Sequence, residues 1–162
     1  METKALKSMI LENLKDLRRF AYSLTTNISD ADDLTQIVVE KLLTRQIPNN
    51  VNPLSWMFRV CKNAWIDELR SRKVRTVDDT IEVSEIASTN DAYEESKETQ
   101  QVQLKAAIME LPDVYREIIT LVIISGLSYA ETSDVLDIPI GTVMSRASRA
   151  REKLAAKFNK EQ

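Results

Sequence analysis

The side chains best suited to contacting another molecule lie near the end of the chain, in GTVMSRASRAREKL, residues 141–154. On a helix at 100° per residue, Ser145, Ser148 and Arg149 point to one side, opposite a narrow seam of valine, alanine and leucine. The flanking arginines are Arg146 and Arg151. Such a face fits the major groove of duplex DNA, with central side chains on base edges and flanking arginines on phosphates.

The preceding segment, GLSYAETSDVLDIP, supplies the partner that such a helix needs. Ser128 and Glu131 form an S-x-x-E capping box that begins a short helix. Asp137 is predicted to lie in the turn after this helix, and Pro139 prevents the helix from continuing. A longer helix is predicted upstream, over residues 111–125, with Gly126 just past its end. Short helix, tight turn and basic helix match a helix-turn-helix; the alternative is a surface helix with ordinary arginines.

A second polar face lies in NPLSWMFRVCKNAWIDELRSRKVR, a predicted helix with Asn52 as its N-cap. Aromatic, amide and arginine groups on one face suit unpaired bases, because they offer stacking surfaces, edge donors and backbone neutralisation. The face consists of Trp56, Arg59, Asn63, Asp67 and Arg70. The alternative is that Trp56 is buried and the rest of the face is merely solvated. On the opposite side, Cys61 is predicted to be a small core residue.

The helix before it, SDADDLTQIVVEKLLTR, carries an acidic outer stripe. The stripe consists of Asp32, Asp33, Gln36 and Glu40. Ile37 is placed on the inner side with the other apolar residues. An acidic surface is poor for phosphates but suits a basic protein partner, although a solvated charged face is the commoner explanation for such a stripe.

Composition excludes several classes of function. The chain of 162 residues has no histidine, one cysteine and two glycines, so we predict no catalytic residues, no metal site and no cofactor. Its first twenty residues carry charges every few positions, unlike a signal peptide. The most apolar segment, IITLVIISGL, is too short to span a bilayer. We expect a soluble, cytoplasmic protein that does not bind membranes.

Charge is divided unevenly, although the net value is only −3. Residues 1–77 and residues 140–162 each carry +4, whereas residues 78–98 carry −7. The acidic stretch is rich in Ser, Thr and Asn, which predicts a flexible linker. Either it is an ordinary solvated loop, or it is a mobile polyanion that keeps the basic faces from binding nucleic acid indiscriminately.

We therefore predict an all-α fold of two small helical domains joined by a flexible acidic linker. The few glycines and prolines disfavour all-β folds, which need many turns. The predicted boundaries are residues 1–76 for an N-terminal helical bundle, 77–103 for the linker and 104–160 for a C-terminal helix-turn-helix domain.

Three stretches, in order and spacing, resemble the extracytoplasmic-function (ECF) sigma factors of bacterial RNA polymerase, members of the sigma-70 superfamily. They cover nearly the whole chain apart from the linker and both ends. The stretches are DADDLTQIVVEKLL, PLSWMFRVCKNAWIDELRSRK and LPDVYREIITLVIISGLSYAETSDVLDIPIGTVMSRASRAREKL. The resemblance implies a transcription initiation factor, not an enzyme, with a region 2-like and a region 4-like domain.

The resemblance also implies partners for the N-terminal domain. This domain would bind the β′ clamp helices of core polymerase through Asp33 and Gln36, with Asp32 and Glu40 nearby. It would also capture the melted minus-10 element. Asn63 and Asp67 would face the non-template strand. The loop over residues 45–52 would form a pocket for a flipped base.

The C-terminal domain would bind the β flap and read the minus-35 element as duplex DNA. By the resemblance, Ser145, Ser148 and Arg149 would contact bases. The phosphate contacts would be Thr142, Arg146 and Arg151. The protein would be cytoplasmic and associated with the nucleoid in the holoenzyme, and many relatives are held by an anti-sigma factor.

Three positions depart from the family pattern. Ile37 stands where glutamate is usual, Asp137 replaces a turn glycine, and Ser148 is smaller than the aromatic that some members carry. Aspartate tolerates a left-handed backbone, so we expect the turn to form. Two alternatives stay open from the residues alone: a stand-alone helix-turn-helix regulator, and a sigma-like interaction protein that does not use DNA.

Overall fold

The structure, a computed structural model, describes residues 2–76 and 96–160, and all regular secondary structure in these two ranges is helical. The first range forms the N-terminal unit, with helices α1 (Thr3–Glu12), α2 (Leu14–Thr25), α3 (Ile28–Thr44) and α4 (Pro53–Thr76). The second forms the C-terminal unit, with α5 (Ser96–Met109), α6 (Asp113–Ile119), a π-helical segment (Thr120–Ile124), α7 (Tyr129–Leu136) and α8 (Ile140–Lys160). The all-α prediction is confirmed for these residues.

The first helix of the C-terminal unit begins earlier than the sequence indicated. Residues 96–103 were assigned to the flexible linker, but they are the first part of α5. This stretch contains lysine, glutamate and several glutamines, which favour helix, and it has no glycine or proline to interrupt one. Residues 77–95 of the predicted linker lie outside the described residues.

The N-terminal unit is built around the aromatic rings of α2 and α4. Phe20 and Phe58 are fully buried and meet edge to face, with ring centroids 5.5 Å apart. Burying each such ring stabilises the fold by about 1.5–3 kcal/mol. Cys61 is also fully buried, which confirms its predicted place in the core. Burial raises the pKa of its thiol far above the ordinary value, so it stays protonated.

The C-terminal unit packs α8 against α6. Val143, Ala147 and Ala150 are buried on the inner side of α8, where small alanines allow a close approach to Ile118 and Ile119. The predicted apolar seam of α8 is therefore confirmed. The longer helix predicted over residues 111–125 is α6 with the π-helical segment after it.

The apolar core runs from one unit into the other. Leu121, Leu127 and Val135 belong to the C-terminal unit, yet they are buried in the same cluster as the core of α2, α3 and α4. Gly126, with φ of +74°, lets the chain turn sharply between the first two of these residues. The two units are therefore in direct apolar contact.

Candidate nucleic-acid interface

The helix-turn-helix forms through local hydrogen bonds, among them the capping box that the sequence predicted. The Ser128 hydroxyl accepts from the Glu131 amide at 3.0 Å, and a Glu131 carboxylate oxygen accepts from the Ser128 amide at 2.8 Å. Asp137 ends α7 in the left-handed region, with φ of +58°. The Ser133 hydroxyl donates to the Ile138 carbonyl across the turn. Capping box and aspartate turn are both confirmed, and together they fix the direction in which α8 leaves.

The outer side of α8 presents the three predicted base-contacting residues to solvent. Ser145, Ser148 and Arg149 are exposed, while Ala147, which lies between them in the sequence, is buried. Because the inner residues anchor the helix, the outer side chains project from a fixed backbone. The geometry is that of a helix able to enter a groove. Their contact with DNA bases stays a prediction.

The predicted phosphate contacts lie at the edges of this surface. Thr142 and Arg146 are half-buried, and Arg151 is exposed. An Arg151 guanidinium N–H donates to the Tyr129 hydroxyl at 3.2 Å, which links α8 to the start of α7. This bond restricts the conformations of the Arg151 side chain before any phosphate is bound, which lowers the entropy lost on binding.

The predicted single-strand face of α4 is divided between open and half-covered positions. Asn63, Asp67 and Arg70 are exposed, whereas Trp56 and Arg59 are half-buried. Trp56 packs against the apolar core. The tryptophan is therefore neither sealed in the interior nor free on the surface.

The start of α4 is held by the N-cap that the sequence indicated. The Asn52 side-chain oxygen accepts a hydrogen bond from the Leu54 amide at 2.9 Å. The Asn52 amide group also donates to a carboxylate oxygen of Glu131 at 2.9 Å. One asparagine thus begins α4 and contacts α7.

The end of α4 is basic in sequence, but its arginines differ in their contacts. Arg72 donates two hydrogen bonds to Asp30, at 2.9 and 3.2 Å, and one to Glu68 at 2.8 Å. Its guanidinium also lies 5.2 Å from the Trp65 ring centroid. The hydrogen bonds to Asp30 and then Glu68 raise the pKa of Arg72, and the bond from Arg72 lowers the pKa of Glu68. Arg72 therefore joins α3 to α4, which leaves it poorly placed for nucleic acid.

The acidic stripe of α3 is exposed as predicted from the sequence, and it borders a cavity. Asp32, Asp33, Gln36 and Glu40 are all exposed. The Arg18 guanidinium pairs with Asp32 at 2.8 Å. A cavity of about 370 Å³ lies between α3 and α4. Its lining residues are Asp30, Asp33, Leu34, Gln36, Ile37, Glu40, Trp65, Glu68 and Arg72.

The structure corrects the placement of Ile37. The sequence assigned this side chain to the inner side of α3, but it is 41% exposed and lines the cavity. Three buried residues, Leu34, Val38 and Leu42, already fill the contact between α3 and the core. Ile37 is therefore displaced to the rim beside Gln36.

A contact between the two units escaped the sequence reasoning. Lys62 Nζ lies 2.8 and 3.1 Å from the two carboxylate oxygens of Glu117. Arg116, which is 5% exposed, donates from Nε to the Ser23 carbonyl at 2.7 Å. It also donates to the Leu111 carbonyl. One feature of the sequence could have indicated this contact: Arg116 and Glu117 lie side by side inside the apolar run VYREIITLV. Charged side chains in such a run are buried only if they have partners.

The pKa of the Glu117 carboxyl is shifted by its burial and by charged groups from several helices. Burial raises the pKa of its carboxyl, Lys62 lowers it, Asp113 raises it, and Arg146 lowers it further. The Lys62 ammonium is thus the main charge that offsets the desolvation of Glu117. The ion pair and the burial are parts of one contact between α4 and α6.

Neither a metal site nor a membrane span is found in residues 2–76 and 96–160. In these ranges no three His, Cys, Asp or Glu side chains are grouped in a way that would hold a metal ion. In the same part of the chain, no helix combines the length and apolar character that crossing a bilayer requires.

Comparison with known protein families gives two matches along the chain. The model described as Sigma-70 region 2 matches residues 9–75, and the model described as Sigma-70, region 4 matches residues 101–154. The first match covers most of the N-terminal unit. The second covers most of the C-terminal unit.

Two curated relatives are similar over nearly the whole chain. The chain is 31% identical to the ECF RNA polymerase sigma factor EcfG of Rhodopseudomonas palustris (strain TIE-1), over 95% of this chain and 85% of that protein. It is 32% identical to the ECF RNA polymerase sigma factor SigM of Bacillus subtilis (strain 168), over 91% of each chain.

A solved structure resembles both units together. It is the co-crystal structure of the sigma factor RpoE in complex with the anti-sigma factor NepR from Bartonella quintana, with a TM-score of 0.80 and 28% identity. The match covers 98% of this chain and 99% of that chain. A superposition of this quality over nearly the whole chain includes both helical units in one relative arrangement.

Proposed function

This chain belongs to the ECF family of RNA polymerase sigma factors, which act in transcription initiation, and from this premise we propose which of its surfaces contact promoter DNA and polymerase. The observation that carries the proposal is the division of α8. Its inner residues Val143, Ala147 and Ala150 are at most 1% exposed, while its outer residues are open to solvent. A helix anchored in this way holds its outer side chains in a fixed register for recognition.

In the proposal, α8 reads the minus-35 element as duplex DNA. Ser145, Ser148 and Arg149 contact base edges, and the guanidinium of Arg149 is the group best suited to a bidentate contact with guanine. Phosphate contacts come from Thr142, Arg146 and Arg151. These contacts fix the register of the protein on the duplex without themselves reading sequence.

The N-terminal unit holds the melted minus-10 element on the polar face of α4. Asn63 and Asp67 face the exposed bases of the non-template strand, and Arg59 and Arg70 neutralise its backbone. Trp56, which is half-buried, offers the exposed part of its ring for stacking. The loop over residues 45–52 forms a pocket for a flipped base.

Strand separation follows from preferential binding. Unpairing and unstacking a base costs a few kcal/mol. Binding on α4 lowers that cost only to the extent that it favours the unpaired strand over the duplex. The protein supplies no chemistry of its own in this mechanism.

Core polymerase binds the acidic stripe of α3. Asp32, Asp33, Gln36 and Glu40 form a negative surface beside the cavity between α3 and α4. A basic side chain of the β′ clamp helices fits the α3 side of this cavity, because Asp33 and Glu40 line it there and are not bonded by Arg72. The β flap binds the C-terminal unit.

We propose an anti-sigma factor as a further partner of this chain. Its support is the RpoE–NepR structure, whose sigma factor resembles this chain over both units. An anti-sigma factor would compete with polymerase for the N-terminal unit. The site of action is the cytoplasm, at the nucleoid when the holoenzyme forms.

Run-off transcription with core polymerase tests the proposal. A library of genomic fragments first yields promoters that depend on this chain, and one of them is then transcribed with Arg149→Ala. Losing one bidentate base contact costs about 1–3 kcal/mol, so we expect promoter-specific transcript to fall by about fivefold to a hundredfold. Lys105→Ala, an exposed charge change on α5, serves as the control and should match the wild type.

Two results would contradict the proposal. A sigma-like protein that does not use DNA would keep its activity when Arg149 is replaced. A stand-alone regulator would bind promoter duplex tightly and specifically in a gel shift without polymerase. The proposed sigma factor shows neither behaviour, and it binds promoter DNA specifically only in the presence of core polymerase.

A further inference from the structure

Two large apolar side chains are left open to solvent at the start of α8. Ile140 is 46% exposed, and Met144, about one turn later, is 50% exposed. Because residues four positions apart are neighbours on a helix surface, the two lie on one row, which continues to Ser148. Each keeps about half of its surface outside the core of this chain. That apolar surface is available for contact with another molecule.

Met144 borders the side of α8 that is proposed to contact bases. Around the helix it lies about 40° from Ser148, a serine of the proposed base-contacting set. The methionine side chain is longer than that of Ser145 or Ser148, so it extends further from the helix axis than either of them. From Ile140 to Ser148 the helix rises about 12 Å, which is about the width of the major groove. Met144 thus lies in the stretch of α8 that would enter the groove.

The first turn of a recognition helix is also where approach to the bases is closest, and here it contains a glycine. Glycine in a helix is less favourable than alanine. A Cβ atom added to Gly141 would meet no atom of the described residues within 4 Å, and the residue has no positive φ. Packing and backbone geometry therefore do not require glycine at this position. The space beside it suits the close approach of a ligand to the backbone.

The chemistry of Met144 limits what it can recognise in the groove. Its thioether carries no charge and is only a weak hydrogen-bond acceptor, so it suits neither a phosphate nor the polar edge of a base. In the major groove, the apolar group that distinguishes one base from the others is the C5 methyl of thymine. Methionine adapts well to such a group, because it has three rotatable bonds and a polarizable sulfur.

We propose that Met144 is a specificity-determining residue of α8, and that it contacts the C5 methyl group of one thymine in the minus-35 duplex. Ile140 borders the same apolar contact, and Gly141 leaves room for the DNA. This inference rests on the proposed function of α8. Arg146 and Arg151 place positive charge on the two edges of the helix, which complements the phosphates on either side of the groove. The contact adds a preference for thymine to the polar contacts already proposed.

Replacing thymine by uracil tests the contact, because uracil pairs with adenine in the same way but lacks the methyl group. A promoter that depends on this chain is rebuilt with uracil at each thymine of the minus-35 element in turn, in either strand. Binding of the holoenzyme to each duplex is then measured. We expect one uracil to weaken binding by about fourfold, equivalent to about 0.8 kcal/mol for one buried methyl group. A minus-35 element in which every thymine can be replaced without effect, or which contains none, would overturn the inference.

The variant Met144→Ala connects the methyl group to this side chain. It should weaken binding to the thymine promoter by about fourfold or more, and uracil at the sensitive position should then cost nothing further. Additive losses would mean that Met144 contacts something else, such as a polymerase subunit, and that another residue contacts the methyl group. That result would also overturn the inference.

Val102→Ala is the matched control for the loss of apolar surface. Val102 is 45% exposed and lies on α5, away from the proposed DNA-binding side of α8. The holoenzyme with this variant should bind the thymine and uracil promoters as the wild type does, including the fourfold difference of about 0.8 kcal/mol between them.

Gly141→Leu tests whether the first turn of α8 enters the groove. The leucine side chain has room in the free chain, so urea unfolding should show no loss of stability. On the promoter it would occupy space that the DNA needs, and we expect binding to weaken by about tenfold or more. A folded Gly141→Leu variant that binds the promoter as tightly as the wild type would place the first turn outside the groove and contradict the inference.

Failure of this inference and failure of the proposed function are distinguishable. If transcription depends on Arg149 but no uracil changes binding, α8 still reads the promoter and only the thymine contact falls. If no promoter responds to the chain, the initiation role falls and the inference falls with it.

Discussion

Two arginines near the end of α4 should have different effects on stability when replaced, although they are only two residues apart. Arg70 is exposed and makes no hydrogen bond or ion pair with the described residues. Arg72 bonds to Asp30 and Glu68 and lies over the Trp65 ring. We therefore expect Arg72→Ala to lower stability and Arg70→Ala to leave it unchanged.

The size of the effect follows from the contacts of Arg72. Its side chain is 41% exposed, so each ion pair is screened by solvent and contributes about 0.2–1 kcal/mol. The contact with Trp65 adds about 0.5–1 kcal/mol. The sum is roughly 2 kcal/mol. For a chain of this size, that lowers Tm by about 4–8 °C.

Urea unfolding followed by circular dichroism measures both variants. Arg72→Ala should lose roughly 2 kcal/mol, while Arg70→Ala stays within about 0.5 kcal/mol of the wild type. In single-strand binding the order reverses, because only Arg70 lies on the open face. The reasoning is refuted if the two variants unfold alike, or if Arg70→Ala is the less stable one.

The remaining predictions concern three single residues. Glu117 has a raised pKa, so between pH 4.5 and that pKa the native state binds more protons than the unfolded state, and unfolding free energy falls as pH rises. The stability of the wild type relative to Glu117→Gln should therefore decline as pH rises from about 4.5, in urea titrations at several pH values; a rising difference would contradict this. Asp137→Gly should raise the unfolding free energy by about 0.5–1 kcal/mol, because glycine adopts the left-handed conformation without steric cost, whereas a loss in urea unfolding would argue against strain there. Cys61 should react with a thiol reagent only after unfolding, since its thiol is fully buried; rapid reaction of the native chain would disprove that burial.

The parts of the structure that the sequence predicted depend on neighbouring residues. The capping box joins Ser128 to Glu131, three positions away, and the Asp137 turn needs only its own backbone preference. The outer face of α8 follows from helical periodicity, since buried Val143 and Ala147 fix which side is left for solvent. Local chemistry is enough for such features.

The parts that escaped prediction depend on residues far apart in the chain. Lys62 and Glu117 are 55 positions apart, and Arg116 reaches a carbonyl 93 positions away. The periodicity of apolar residues along a helix does not indicate which surface of the other unit that helix contacts. Ile37 was misplaced for a related reason: the helical pattern gives the width of an apolar face, but the neighbouring helix decides how much of it is covered.

The carboxylate of Glu131 serves two helices with its two oxygens. One oxygen accepts from the Ser128 amide at the start of α7, and the other accepts from the Asn52 side chain. When the second bond breaks, the first is kept and water can replace the lost donor. The capping box of α7 is therefore independent of the contact that Glu131 makes with Asn52.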